Sequence, residues 1–223
     1  MTKSWDFWDT LVTRAVLHPH DVFELVEMRS GVEGFTRERI AAEANSRIGV
    51  TETNLSRIYE FLPYTSDQST YLKSLEFEAE LALASPVGVN ASRFMDSDLV
   101  ISDMYLDQDA MLRIARKCAL EVRPEHMLVS SEFNTTKHDG GLFDVASALR
   151  TLAEHEGDNL RSDVQVPTSK GIASKHFRAI SPSDLEKSWG DQPGDARYIA
   201  GVIRAARLAN TSRHSAEEWN IYA

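Results

Sequence analysis

The chain has 223 residues, 42% of them hydrophobic, and a formal net charge of -10. That length suits one domain with a large insertion, or two small domains, and is enough to bury a substantial core. The acidic balance argues against a general nucleic-acid or anionic-membrane binder, which needs Lys and Arg gathered on a basic face. It leaves phosphate ligands open, because a few local donors, a metal or helix N-termini suffice to hold them.

The first element is the segment Ser4-Trp5-Asp6-Phe7-Trp8-Asp9-Thr10-Leu11-Val12-Thr13-Arg14, which sets a carboxylate after a very short apolar run and a Thr four residues later. Two registers fit this spacing, Asp6 with Thr10 and Asp9 with Thr13; the second would bury polar Asp6 inside the strand. His18-Pro19-His20 reads as a linker, since a Pro separates the histidines and no third metal ligand is near.

From about His20 to Met95 the pattern is almost wholly helical. Val22, Phe23, Val26 and Met28 mark one helix, Ile40, Ala41, Ala44 and Ile48 a second, and Leu55, Ile58, Tyr59 and Leu62 a third. Tyr71, Leu72, Leu75, Ala79, Ala82 and Leu83 mark a longer one, with Ser66 or Asp67 as its N-cap and Pro86 as its stop.

The second half alternates apolar runs with helical patterns, which favours a parallel sheet flanked by helices. A strand over Asp98 to Ile101 leads to Ser102, a helix covers Asp107 to Ala119, a strand covers His126 to Ser130, and a helix covers Leu142 to Leu152. Cys118 is the only cysteine, so an intramolecular disulfide and a cysteine zinc cluster are excluded, and its helical setting marks a buried structural thiol. Residues 211–223 read as a solvated tail or short terminal helix. No apolar run reaches membrane length, which makes a cytoplasmic protein the expectation.

Four segments taken in order carry a family likeness: the Asp6 loop, Leu99-Val100-Ile101-Ser102-Asp103, Lys137 in Thr135-Thr136-Lys137-His138-Asp139-Gly140-Gly141, and Gly157-Asp158-Asn159-Leu160-Arg161-Ser162-Asp163. Over roughly residues 4 to 207 the chain resembles the haloacid dehalogenase (HAD) superfamily, and within it the bacterial hydrolases often encoded beside or fused to glycosyltransferases. The resemblance implies an α/β, Rossmann-like three-layer core with a parallel sheet (residues 1–14 and 96–210). It also implies an inserted all-helical cap of the C1 type (15–95), followed by the tail.

The activity implied is Mg²⁺-dependent hydrolysis of a small phosphorylated metabolite, such as a sugar phosphate, through an aspartyl-phosphate. Asp6 is then the nucleophile. Asp6, Asp158, Asp163 and the main-chain carbonyl of Trp8 hold the metal, while Thr10, Ser102 and the amide of Asp103 hold phosphate oxygens. Lys137 balances the charge, with Lys170 and Lys175 as fallbacks. Association with a glycosyltransferase, or a homodimer, is the partner implied; nucleic acid and membrane are not.

The chain departs from the family pattern twice. Trp8 stands where most relatives carry the Asp that protonates the leaving oxygen, and an indole cannot transfer that proton, which leaves Asp9 as the substitute. Aromatic residues at that position occur in carbon–halogen hydrolases of the superfamily, so a dehalogenase is one alternative and a catalytically impaired binding module another. The acidic pair Asp158 and Asp163 points back to phosphoryl chemistry. The other departure is Ala153-Glu154-His155-Glu156, short and polar where relatives carry an apolar strand. It implies an abbreviated strand or a helix that runs nearly to the loop.

Overall fold

The computed structural model describes residues 2–192 and 195–210. Strand β1 (Thr2–Trp5) leads into the Asp6 loop and β2 (Val12–Arg14). Four helices follow: α1 (Asp21–Ser30), α2 (Phe35–Ser46), α3 (Leu55–Glu60) and α4 (Ser66–Leu83). β3 (Ala84–Pro86) then returns antiparallel to β2, closing the helical excursion on a two-stranded base before the short helix α5 (Gly88–Ala91).

The remainder runs β4 (Leu99–Ser102), α6 (Gln108–Lys117), β5 (Met127–Val129), α7 (Ser130–Phe133), α8 (Gly141–Leu149) and β6 (Leu152–Gly157). A π-helical turn over Leu160–Gln165 passes into α9 (Val166–Ser169), β7 (Ala173–His176), α10 (Asp184–Gly190) and α11 (Ala196–Asn210). The expected tail, 211–223, lies outside the described residues. Among the described residues no helix is long and apolar enough to cross a membrane.

The main sheet has the order β5-β4-β1-β6-β7 and every pairing in it is parallel. β4 and β5 form it for the reason their composition suggests: Leu99, Val100, Ile101, Met127, Leu128 and Val129 are all buried. Because β1 lies at the centre, its carboxyl end opens between those of β4 and β6, the crevice where parallel α/β sheets place their ligands. Cys118 is buried, and burial pushes its thiol up to about 11, the profile of a structural thiol.

β6 corrects the expectation of an abbreviated strand or an overrun helix. It is a full six-residue strand although His155 and Glu156 inside it are buried. The reason is cross-strand charge pairing. The Glu156 carboxylate accepts from Lys3 Nζ at 2.8 Å and from Arg93 Nη1 and Nη2 at 3.0 and 2.8 Å, and Lys3 also bridges Glu154 at 2.8 Å.

Burial alone would push the Glu156 carboxyl up, but Arg93 and Lys3 more than offset it and hold it below its ordinary value near 4.5. A carboxyl depressed in the folded state stabilises the fold above its unfolded pKa, and that contribution is lost as pH falls toward the folded pKa. Glu156→Gln is therefore expected to flatten the acid limb of stability between about pH 5 and 3. Urea unfolding across that range checks this, and an unchanged slope contradicts it.

The helical segment buries a different stripe from the one expected in α2. Phe35, Arg39, Ala42 and Ser46 face inward, whereas Ala41, Ala44 and Ile48 are exposed; Met28 of α1 and Tyr71 of α4 are exposed as well. Arg39 can lie inside because Glu76 of α4 meets it with both carboxylate oxygens, at 2.8 and 2.7 Å. The N-cap of α4 is Thr65, in a capping box with Gln68, rather than Ser66 or Asp67.

Candidate active site

Asp6 directly follows β1, and its amide continues the ladder by donating to Glu156 O at 2.9 Å. The residue is 5% exposed. Thr10 Oγ1 donates to Asp6 Oδ2 at 3.2 Å, the spacing that marked the loop in the sequence. Asn90 secures that loop from outside, its Nδ2 donating to Thr10 O at 2.9 Å. The second register is present only as a local bond, Thr13 Oγ1 to Asp9 Oδ1 at 2.8 Å. Asp9 stands off the sheet end at a φ of 57°, so Asp6 alone occupies the strand terminus.

Lys137 comes from the loop between α7 and α8. Asp103 anchors the loop by accepting from the amides of Lys137 at 2.6 Å and His138 at 3.3 Å. The Asp103 carboxylate, rather than its amide, is thus the group the structure shows engaged. At Gly141 a Cβ would lie 2.0 Å from Thr135 Oγ1, so only glycine lets the loop close into α8. The Lys137 ammonium is buried between two carboxylates, bonded to Asp6 Oδ1 and, at 2.6 Å, to Asp163 Oδ1. Lys170 and Lys175 are elsewhere, paired with Asp144 at 2.6 Å and Glu156 at 3.6 Å.

Asp158 follows β6, and the π-helical turn brings Asp163 back beneath it. Gly157 permits the approach, since a Cβ there would lie 2.4 Å from Asp163 Cγ. Asp6, Asp158 and Asp163 each offer an oxygen within 4.8 Å of the others. Ser102 ends β4 and lines the same crevice.

Among the described residues, the three carboxylates of Asp6, Asp158 and Asp163 converge on one buried ammonium, a formal excess of two negative charges. Burial first, then Asp163 and Asp158, drive the Asp6 carboxyl well above its ordinary value despite Lys137. Burial with Asp9 and Asp163 pushes Asp158 up to about 6. Asp163 resists the same burial: Lys137 and His155 hold its carboxyl below the usual range. Lys137 is likewise kept charged against burial by Asp163, Asp6 and Asp103. Such a cluster of oxygen donors with unbalanced charge fits a divalent cation of the Mg²⁺ type.

The crevice opens into a cavity of about 410 Å³ whose far wall comes from the helical segment, including His20, Phe23, Glu43 and Arg47. Trp8 lines it too. Its ring lies 3.6 Å beneath the Arg14 guanidinium, which Glu80 holds at 2.7 and 3.1 Å, and its buried Nε1 has no hydrogen-bond partner among the described residues. Trp5 is a core residue whose Nε1 donates to Asp98 Oδ2 at 2.9 Å. His20 stacks on Phe23, with ring centroids 5.8 Å apart, and His18 donates its amide to Asp21, so neither forms a metal pair.

Sequence reasoning missed the supporting shell of Asn90, Arg93, Glu80 and His155. Only His155 gave a signal, as a polar residue in a segment where relatives carry an apolar strand.

The fold is that of HAD family enzymes. A crystal structure of a HAD family enzyme from Bacteroides thetaiotaomicron superposes with a TM-score of 0.52, covering 84% of this chain and 97% of that one at 10% sequence identity. At that identity the likeness is one of fold. No protein-family model and no curated protein matches the sequence.

Proposed function

We propose that the protein is a Mg²⁺-dependent phosphatase of the HAD type, acting on a small phosphorylated metabolite. The observation that carries this reading is the charge imbalance at the sheet end: three convergent carboxylates against the single ammonium of Lys137. A carbon–halogen hydrolase working through Asp6 needs no metal, so the acidic pair Asp158 and Asp163 beside it favours phosphoryl chemistry.

Asp6, Asp158, Asp163 and the Trp8 carbonyl are the residues to hold the cation, with Asp163 direct or through water. When bound, it neutralises charge between nucleophile and phosphate. Asp6 attacks phosphorus, forming an O–P bond as the bond to the leaving oxygen breaks. Ser102, Thr10 and the Asp103 amide are assigned to phosphate oxygens, and Lys137 orients Asp6 and favours its ionised form against burial, with a bound cation supplying the rest of the opposing charge. Asp9 takes the proton-transfer role that Trp8 cannot fill. Thr13 occupies its Oδ1, leaving Oδ2 to protonate the leaving oxygen and then to take a proton from the water that cleaves the acyl phosphate.

The helical segment acts as the cap, closing the cavity with His20, Glu43 and Arg47 toward the substrate's non-phosphate part. A sugar phosphate is the substrate class proposed, and a glycosyltransferase or a second copy the partner.

The test is phosphate release from a panel of phosphorylated metabolites, with Mg²⁺ and with chelator. Release that requires the metal is expected. Metal-independent halide release from 2-haloacids would replace this reading with the dehalogenase, and no turnover by folded protein would leave a binding module.

A further inference from the structure

Strand β6 places His155 directly beneath the acidic cluster, and no role assigned above uses it. The imidazole is fully buried and its ring is wedged edge-on against Phe143, centroids 4.9 Å apart at 84°. Both ring nitrogens are engaged: Nδ1 lies 2.9 Å from Ser4 Oγ on the neighbouring strand, and Nε2 lies 3.2 Å from Asp163 Oδ1. We propose that His155 is a positioning residue for the metal ligand Asp163, and that Ser4 sets the tautomer in which it works.

The assignment follows from donor and acceptor chemistry. An ionised carboxylate only accepts, so the contact with Asp163 requires the hydrogen on Nε2. In the neutral ring Nδ1 is then an acceptor, and its partner must donate. Ser4 Oγ can do so, dividing its one hydrogen between Nδ1 and Glu154 O at 3.2 Å.

Asp163 thereby receives three donors from three directions: Nε2 of His155 and the Lys137 ammonium at Oδ1, and the Asn159 amide at 2.9 Å on Oδ2. Lys137 is shared with Asp6, and the Asn159 donor is main chain. Among the described residues, His155 is the one side chain whose polar contact with the cluster is to Asp163 alone. An apolar residue would fill the same space and suit the strand better, yet the chain carries an imidazole there. Partners of this kind commonly govern metal affinity by fixing the ligand's orientation.

The inference rests on the metal-site reading above, so its test measures binding rather than turnover. Mg²⁺ affinity is to be measured by titration calorimetry for the wild type, His155→Asn and His155→Gln, each first checked for folding by circular dichroism and thermal melting. The Gln amide can present an N–H near the place of Nε2, whereas the shorter Asn reaches only the Nδ1 side. His155→Asn is expected to weaken Mg²⁺ by about 10- to 100-fold, and His155→Gln to restore most of the loss. Because Gln also fills more of the ring's space than Asn, His155→Met, of similar size and without an N–H, is measured beside them. A role in packing alone would let it bind Mg²⁺ as well as His155→Gln, whereas the positioning role requires it to bind as weakly as His155→Asn.

Long-range ¹H–¹⁵N spectra of the wild type supply a second readout that needs no variant to fold: the ring is expected as the neutral Nε2–H tautomer. Either an Nδ1–H tautomer or wild-type affinity in folded His155→Asn overturns the proposal while leaving the metal site standing. A wild type that binds no Mg²⁺ overturns the metal site and this proposal together.

Discussion

Asp6→Asn should lower Mg²⁺-dependent phosphate release by at least on the order of 10⁴-fold, with the fold intact. The size follows from the role: an amide cannot form the aspartyl-phosphate, and residual turnover would come only from binding and orientation by Ser102, Lys137 and the cavity. Stability should change little, because the Asn oxygen can still accept from Lys137, while Thr10 Oγ1, which meets the other carboxylate oxygen, can turn to accept from the Asn NH2. The variant also removes one of the two excess negative charges, so weaker Mg²⁺ binding should accompany the loss. Saturating metal is therefore needed to isolate the chemical step.

Asp9→Asn tests the proton-transfer role beside it. Its expected loss is smaller, about 10²- to 10⁴-fold, and it should shrink for substrates whose leaving group needs no proton. If Asp9→Asn abolishes turnover while Asp6→Asn keeps it within tenfold of wild type, the nucleophile has been assigned to the wrong carboxylate.

How much of this was legible before the structure depends on the kind of force involved. The α/β fold was readable because β4 and β5 are short continuous apolar runs alternating with helical patterns, the texture of strands covered on both faces. The convergence of Asp6, Ser102 and Asp158 on one crevice was readable because each ends or directly follows a strand of the parallel sheet, and successive strand ends share one edge, whereas Lys137, a short helix beyond β5, was readable only through the family motif. Asp163 was readable only through the family spacing, since a π-helical turn rather than a regular helix brings it back.

The failures in β6 and α2 share one cause. β6 and α2 bury charged residues that a hydrophobic pattern counts as solvent-facing, and their partners lie far away in sequence. Glu156 needs Lys3 and Arg93, and Arg39 needs Glu76. Periodicity is a local signal. It cannot register a buried ion whose compensation is 37 or 153 residues distant.

Arg39 is where that cause has its largest consequence for stability. Its guanidinium is fully buried, bidentate on Glu76, bonded to Glu43 at 3.0 Å and placed against the rings of Phe23 and Tyr105 at 4.4 and 4.7 Å. Glu76 also accepts from the Tyr59 hydroxyl at 2.9 Å. Arg39→Met keeps much of the volume but strands a carboxylate in a dry interior, which costs about 3–5 kcal/mol, or roughly 6–20 °C in Tm for a chain of this size.

The double variant Arg39→Met/Glu76→Leu removes the stranded charge as well and should recover most of the loss, because a buried ion pair and an apolar pair of similar volume differ little in net stability. Thermal unfolding of both single variants and the double closes the cycle; a single-variant loss under about 1 kcal/mol would show that water reaches Glu76. The pair matters beyond stability. Glu43 and Tyr105, both touched by Arg39, line the cavity above Asp6. If the helical segment is the cap, loosening this ion pair should raise KM for the substrate before it alters the chemistry at Asp6, and Arg39→Met assayed below its melting temperature is expected to show that order.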